Sequence, residues 1–301
     1  MPMKSTVKTI FPENIRCVAV TAPAGFPDQN KLANSIELLT KMVKVKSYIA
    51  AKSSGTPSYL SADSADRLAM FNAAVRDPEV DLILAVRGGF GSVHILSGID
   101  YETLKKRNLP VMGYSDITSL HCAMLAKNAG IPIAGSNLLQ LDEVLSDELS
   151  FTSHRQALRE TSTPADIPQY WLAPVNLPAQ SLTVKAPAYA ANLTVLTSLC
   201  GTEFMPDFSN HILIIEDVNE PVYKIDRMLA QLCLSGVLRH IKALVFGKFT
   251  APENSAEALH ELFTVFAAKL PCPCFKNFEF GHEFPMCAVN AAHTIAISAE
   301  K

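Results

Sequence analysis

The chain has 301 residues, 49% hydrophobic and 18% charged, with a net charge of −3; it therefore holds one large domain or two with ample material for a core, and disorder and small stapled scaffolds are excluded. No sustained Lys/Arg block offers a grip on nucleic acid, and no segment approaches the roughly 20 apolar residues of a membrane span. The opening MPMKSTVKTIFPENI lacks the apolar run of a signal peptide, which predicts a cytoplasmic protein acting on a small molecule, and the seven scattered cysteines suit reduced thiols better than a disulfide framework.

Arg16–Ala22 (RCVAVTA) reads as a strand, PAGFP as a turn and Lys31–Val45 as a helix, which makes a first βα unit. The pattern repeats with a helix over Ala65–Val75, a buried strand over Asp81–Val86 (DLILAV), a helix start at Gly91–Leu96, and strands at Val111–Gly113 and Ile131–Ala134. Such alternation predicts an α/β fold whose N-terminal domain is a Rossmann- or flavodoxin-like parallel sheet covered on both faces, with ligand groups gathered at the carboxyl ends of its strands. From about Asp147 to Gln180 the periodicity weakens, while Pro164, Pro168, Pro174 and Pro178 accumulate around Trp171, the only tryptophan. This predicts an N-terminal domain over 1–150, a crossing segment over 151–185 and a smaller, β-rich α/β domain over 186–301. In that last part Leu193–Leu199 and Ile225–Leu238 read as helices, and His211–Ile215, Ala243–Gly247 and Thr294–Ser298 as strands.

Three places along these elements can carry chemistry. Directly after strand Asp81–Val86, Arg87-Gly88-Gly89-Phe90-Gly91 sets three glycines in four positions. Such a loop permits positive φ and close backbone approach, and its free N–H groups can hold an anion or oxyanion; a tight turn that merely needs glycine is the alternative. A phosphate loop fits poorly, because neither G-x-G-x-x-G nor a Lys-Ser/Thr ending is present. In Pro110–Leu120 (PVMGYSDITSL) a short apolar run meets a helical segment at Ser115. Its hydroxyl then sits on a sharp strand-to-helix turn at the positive end of a helix dipole, a place that suits a nucleophile or a helix cap.

His211–Asp217 (HILIIED) reads as a buried strand ending in Glu216 and Asp217, where a carboxylate can orient a histidine or cap a helix. His282, in Phe280-Gly281-His282-Glu283, lies in a glycine-flanked turn and is the best placed of the eight histidines to act as general base. His94 and His121 fall inside helical patterns near the two turns, where they can line the pocket, and read as structural or as supports of the residues around it. Trp171 can cover a substrate or simply pack. Cys272 and Cys274, with no second pair and no histidine at ligand spacing, do not read as a zinc site.

Together, LILAVRGGFGSVHIL, PVMGYSDITSLHCAMLAK, ILIIEDVNEPVYKIDRMLAQLCLSGVL and FGHE resemble the murein tetrapeptide L,D-carboxypeptidases, the LdcA branch of serine peptidase family S66, which also holds the microcin C self-immunity peptidases. The resemblance runs in order from about Val18 to Ile297. It implies a cytoplasmic homodimer without metal or cofactor, in which the two domains share a Ser-Glu-His triad. Residue by residue it implies Ser115 as nucleophile, Glu216 and His282 as its partners, and the N–H groups of Gly89 and Asp116 as oxyanion hole. Arg87 and Phe90 would face the substrate.

The implied substrate is a murein tetrapeptide or related L,D-peptide, cleaved between an L-diamino acid and a terminal D-alanine in peptidoglycan recycling. A peptidyl-nucleotide amide of the microcin C type, and silent binding of cell-wall peptides, are the alternatives. The chain departs from the family pattern at Gly135-Ser136 (usually Gly-Pro), Ala190-Ala191-Asn192-Leu193 (usually Gly-Gly-Asn-Leu) and Asn290-Ala291-Ala292 (usually Pro-Leu-Gly), none of which removes a triad member.

Overall fold

Five short runs of the first half pair in parallel: β1 (Cys17–Thr21), β2 (Lys44–Tyr48), β3 (Leu82–Ala85), β4 (Pro110–Gly113) and β5 (Ile131–Ala134), in the spatial order β5-β4-β3-β1-β2. The computed structural model describes residues 8–159, 168–176, 182–250 and 256–299. Every residue of β3 is buried. Ile83 and Ala85 enter one apolar layer and Leu82 and Leu84 the other, as the two-residue period of a strand covered on both faces requires. Helices α1 (Gln29–Thr40), α2 (Ser64–Arg76), α3 (Tyr101–Arg107), α4 (Ile117–Ala126) and α5 (Leu141–Ser146) supply the covers. Phe71, Leu104 and Leu120 pack on one face, and Leu32, Leu39 and Val144 on the other. Each large side chain buried in this way contributes about 1.5–3 kcal/mol.

Two expectations for this half shift. The helix expected over Lys31–Val45 starts earlier, where Asp28 accepts the Lys31 N–H at 2.8 Å, and stops at Thr40. KVKSY then forms the edge strand β2, whose lysines hide it from an apolar reading and also guard an open sheet edge. The segment after Gly91 is a 3-10 turn over Ser92–Gly98 rather than an α-helix.

The second half folds around a barrel. Helix α6 (Glu148–Ala157) leads out of the first sheet, and the chain then supplies β6 (Gln169–Pro174), β7 (Thr183–Asn192), β8 (Ile212–Asp217), β9 (Ala243–Phe249), β10 (Cys274–Lys276), β11 (Val289–Asn290) and β12 (Thr294–Ala299). Six of these close in the order β10-β6-β12-β7-β8-β9, while β11 returns to the first sheet and pairs antiparallel with β5. Helices α7 (Leu193–Ser198), α8 (Val222–Leu234) and α9 (Ala256–Ala267) flank the barrel, and Phe263 of α9 stacks on Phe246 of β9 at 4.1 Å between ring centroids.

Within 151–185, read above as a crossing segment, lie most of α6, all of β6 and the start of β7. Pro164 and Pro178 lie outside the described residues. Trp171 stands on strand β6 opposite Ser298, 62% exposed, rather than on a loop. The result is an α/β protein with a parallel-sheet unit and a β-rich second unit. Among the described residues no helix is long and apolar enough to cross a membrane.

Candidate active site

Ser115 stands between β4 and α4 with φ of 64°. Positive φ on a residue with a side chain is strained and persists only where the surroundings impose it. Here strand β4 is buried and α4 presents buried residues from Ile117 to Met124, so both arms of the turn are anchored. Gly88 comes so close that a Cβ built on it would lie 2.8 Å from Ser115 Cβ, 2.9 Å from Ser115 Oγ and 3.2 Å from the Asp116 backbone nitrogen. Only a glycine fits there. The glycine loop and the serine turn therefore share one small space.

The loop's polar groups follow from its peptide planes. The Gly88 carbonyl accepts the Gly25 N–H at 3.1 Å. Across a trans peptide the next N–H, that of Gly89, points the opposite way. Neither the Gly89 nor the Asp116 N–H has a backbone acceptor among the described residues. Asp116 is anchored to Ser92: its side-chain Oδ2 accepts the Ser92 N–H at 2.9 Å, and its backbone carbonyl accepts the Ser92 hydroxyl at 2.6 Å.

Beneath the loop lies Arg67, 2% exposed. Its Nη1 donates to the carbonyls of Pro23 (2.5 Å) and Gly91 (2.7 Å), and its Nε to that of Ala62 (2.9 Å). Burial lowers the pKa of this guanidinium, and the nearby charge of Asp116 opposes the shift.

Arg87 donates from Nη1 to the Phe26 carbonyl at 3.0 Å, so it holds the loop. It also lines a cavity of about 530 Å³ with Phe26, Ser58, Tyr59, Gly89 and Phe90. Phe90 is 47% exposed and meets Tyr59 and His94 edge-on, at 5.9 and 5.3 Å between centroids.

Glu216 and His282 meet from separate elements. Glu216, at the end of β8, has no exposed surface, and its Oε2 accepts the His282 Nδ1–H at 2.8 Å. Its other oxygen accepts from Asn192 Nδ2 at 3.1 Å. Asn192 in turn donates its backbone N–H to Thr118 Oγ1 of α4 at 3.1 Å, which links the carboxylate to the helix that follows Ser115. Adjacent Asp217 takes the capping role instead, accepting the Thr194 N–H (2.9 Å) and hydroxyl (2.7 Å) at the start of α7. The two duties that a strand-end carboxylate can perform are thus divided between neighbours. Lys248 holds the histidine's loop from β9, donating from Nζ to the carbonyls of Glu283 (3.0 Å) and Pro285 (2.6 Å).

Burial raises the Glu216 carboxyl above its ordinary pKa, and the His282 hydrogen bond only partly offsets this. For His282 burial works downward, but the hydrogen bond and charge of Glu216 outweigh it, so the imidazole lies above its ordinary range. His282 makes no hydrogen bond to Ser115 Oγ; it approaches the serine turn through Tyr114, whose ring centroid is 4.9 Å from the imidazole.

Of the other histidines, His121 is buried on α4 against the Tyr189 ring, 6.1 Å between centroids, and burial pushes its pKa down to about 3. His94 is exposed beside Phe90. Cys272 and Cys274 are buried free thiols.

Sequence reading missed Arg67, Lys248 and the tie through Asn192. For Arg67 a signal existed: the buried face of α2 runs through Arg67, Phe71, Ala74 and Val75, so the arginine occupies an apolar position of the helical stripe. For Lys248 no local pattern distinguishes it from a surface lysine.

The fold is that of an α/β protein with a parallel-sheet unit and a β-rich unit. The chain belongs to the LD-carboxypeptidase family: the family's N-terminal domain model matches residues 18–135 and its C-terminal domain model residues 185–297. It is 32% identical over 295 residues to a probable murein peptide carboxypeptidase of Bacillus subtilis (strain 168), covering 94% of this chain and 89% of the relative. It is 25% identical to the microcin C7 self-immunity protein of Escherichia coli, covering 92% and 88% of the two chains. Among solved structures, muramoyltetrapeptide carboxypeptidase from Oxalobacter formigenes superposes with a TM-score of 0.79 at 24% identity, covering 92% of this chain and 93% of the other. An MccF-like protein from Bacillus anthracis superposes with a TM-score of 0.80 at 20% identity, over 95% and 94%. At these identities the two structures speak for the fold alone.

Proposed function

We propose that the protein is a serine L,D-carboxypeptidase of the muramoyltetrapeptide type, releasing the terminal D-alanine from an L-diamino acid in murein tetrapeptides. The observation that supports the reading is the 2.8 Å bond between fully buried Glu216 and His282, whose imidazole lies against the ring of Tyr114, the neighbour of a serine held at positive φ. In this reading His282 Nε2 takes the proton of Ser115 as Oγ attacks the scissile carbonyl, and returns it to the departing D-alanine nitrogen. Glu216 holds the tautomer with hydrogen on Nδ1 and stabilises the imidazolium. The N–H groups of Gly89 and Asp116 receive the oxyanion, where loss of one donor typically costs about 3 kcal/mol. Water activated by His282 then hydrolyses the acyl-enzyme. The reaction needs no metal or cofactor, and the proposal includes a cytoplasmic homodimer that recycles peptidoglycan.

Arg87, bent over the glycine loop and lining the adjoining cavity, is our choice for the cation that meets the substrate's terminal carboxylate. The test is D-alanine release from L-Ala-D-Glu-meso-diaminopimelate-D-Ala, with Ser115→Ala as control and a chelator present. Release that needs the serine and ignores the chelator supports the reading. Chelator-sensitive release, or none from folded protein, defeats it.

One observation favours a second substrate. Phe26, Tyr59 and Phe90 rim the cavity beside Gly89, and such a rim suits a stacked base, as in a peptidyl-nucleotide amide. Cleavage of that amide, with no D-alanine release, would select it. No cleavage of either leaves a binder of cell-wall peptides.

A further inference from the structure

Helix α6 turns a polar face inward. Ser150, Ser153, His154 and Ala157 recur at the spacing of a helical stripe that ordinarily carries apolar side chains, and all four are buried. Buried polar groups are costly unless hydrogen-bonded. Here each is paired, and the partners lie on two different segments.

His154 donates from Nδ1 to the Ser150 carbonyl at 2.7 Å, and its Nε2 accepts the Ser136 N–H at 2.9 Å. These partners assign the tautomer and keep the ring neutral, because a proton on Nε2 would confront another N–H. Ser150 Oγ accepts the Met286 N–H at 2.8 Å, and Ser153 Oγ accepts the Ala288 N–H at 2.9 Å.

Ser136 belongs to the loop after β5, which runs alongside the serine turn. The Gly135 N–H donates to the Gly113 carbonyl at 3.1 Å, and the Tyr114 N–H donates to Asn137 Oδ1 at 3.3 Å. Met286 and Ala288 follow His282 by four and six residues. One helix thus grips the segment beside Ser115 and the segment beyond His282.

We infer that the buried Ser150–Ser153–His154 face of α6 sets the separation of Ser115 and His282, with His154 the positioning residue on the serine side; this rests on the reading of those two as nucleophile and base. His154 touches no substrate and acts through Ser136. The sequence supplies an independent point. Where the resembling family usually has Gly-Pro, this chain has Gly135-Ser136, and a proline would have no N–H to offer His154. The contact is made by a backbone N–H, so it requires only that position 136 not be proline.

The test is a double-mutant cycle of His154→Leu and Ser136→Pro, with His154→Gln as the variant that keeps an acceptor. His154→Leu should lower kcat for the tetrapeptide at least tenfold with KM within twofold, and His154→Gln should recover most of the loss. In the Ser136→Pro background His154→Leu should change kcat less than threefold, because the N–H it would strand is gone. Hydrogen exchange supplies an arm independent of turnover and of the substrate reading. His154→Leu should speed deuterium uptake in peptides spanning 112–118, with no change in 212–217. Equal losses of kcat in both backgrounds, or unchanged uptake in 112–118, overturn the inference. If the wild-type protein releases no D-alanine, the proposed function fails while the exchange arm still decides whether α6 holds the serine turn. Should His154→Leu not fold, His154→Gln and Ser136→Pro carry the same exchange comparison.

Discussion

Adding one methyl group at Gly88 tests the site's geometry more sharply than deleting a side chain. In Gly88→Ala the new carbon would stand 2.8 Å from Ser115 Cβ and 2.9 Å from Oγ. Carbon atoms rest comfortably at about 3.5–4.0 Å, so the serine turn or the glycine loop must move by about 1 Å. Gly88 is not among the glycines with positive φ, so the substitution adds no backbone strain and its effect is the clash. A misplacement of about 1 Å at reacting groups can cost about 100-fold, equal to about 2.7 kcal/mol of barrier. Overpacking of this kind destabilises by about 1–3 kcal/mol, a loss of several degrees in Tm. The assay is kcat/KM for D-alanine release beside a thermal melt. Gly55→Ala is the control: φ there is +95° with nothing within 4 Å of the added carbon, so it should cost some stability and leave turnover intact. If Gly88→Ala keeps kcat/KM within threefold of the wild type, the close approach of loop and nucleophile has no bearing on the chemistry and the reasoning is wrong.

Two further outcomes follow from the charges. Because Glu216 raises the His282 pKa above 6.5, the acid limb of kcat/KM should be centred above pH 6.5, with activity rising as the imidazole loses its proton. Glu216→Gln should lower kcat by about 10⁴-fold, by favouring the wrong tautomer, and move the limb to lower pH; an unmoved limb would show that the pair does not set it. Stability should fall with acid for a separate reason. His121 and His154 are held neutral by burial, with pKa values pushed down to about 3 and about 4 from 6.5. Lowered folded values mean that their contribution is complete above pH 6.5 and is lost as pH falls toward those values, at about 1.4 kcal/mol per pH unit and group. Between pH 6.5 and 5 each therefore costs about 2 kcal/mol. Urea midpoints across that range should shift accordingly, and His154→Gln should remove one group's share of the slope; parallel slopes for the two proteins would contradict the assignment.

Where burial is apolar, the amino-acid pattern announces the fold. LILA, VMG and IPIA read directly as strands because both faces of the first sheet are covered, and Ser115, Glu216 and His282 were each visible at the end of such a run or in a glycine turn. Where burial is polar or partial, the pattern is silent. Helix α6 hides because its inward face is Ser150, Ser153 and His154. Strand β2 hides because an edge needs lysines more than valines. Strand β6 hides because only Leu172 of its six residues is buried, the rest being exposed or half-buried among prolines. The site's supports suffer the same fate: Arg67 and Lys248 are tied to the backbone carbonyls of Pro23 and Gly91 and of Glu283 and Pro285, far along the chain, and a carbonyl leaves no trace in a sequence.

The return of β11 to the first sheet reaches beyond architecture. Val289 and Asn290 pair with Ala134 and Ile133, so the order in which the chain leaves the ribosome matters. Until Val289 and Asn290 emerge, the flank of β5 turned away from β4 has no strand beside it, and that last member of the sheet follows every barrel strand but β12. The two halves are consequently laced together by their own connectivity. No fragment ending near residue 150 can carry a finished first sheet, because Val289 and Asn290 lie beyond it.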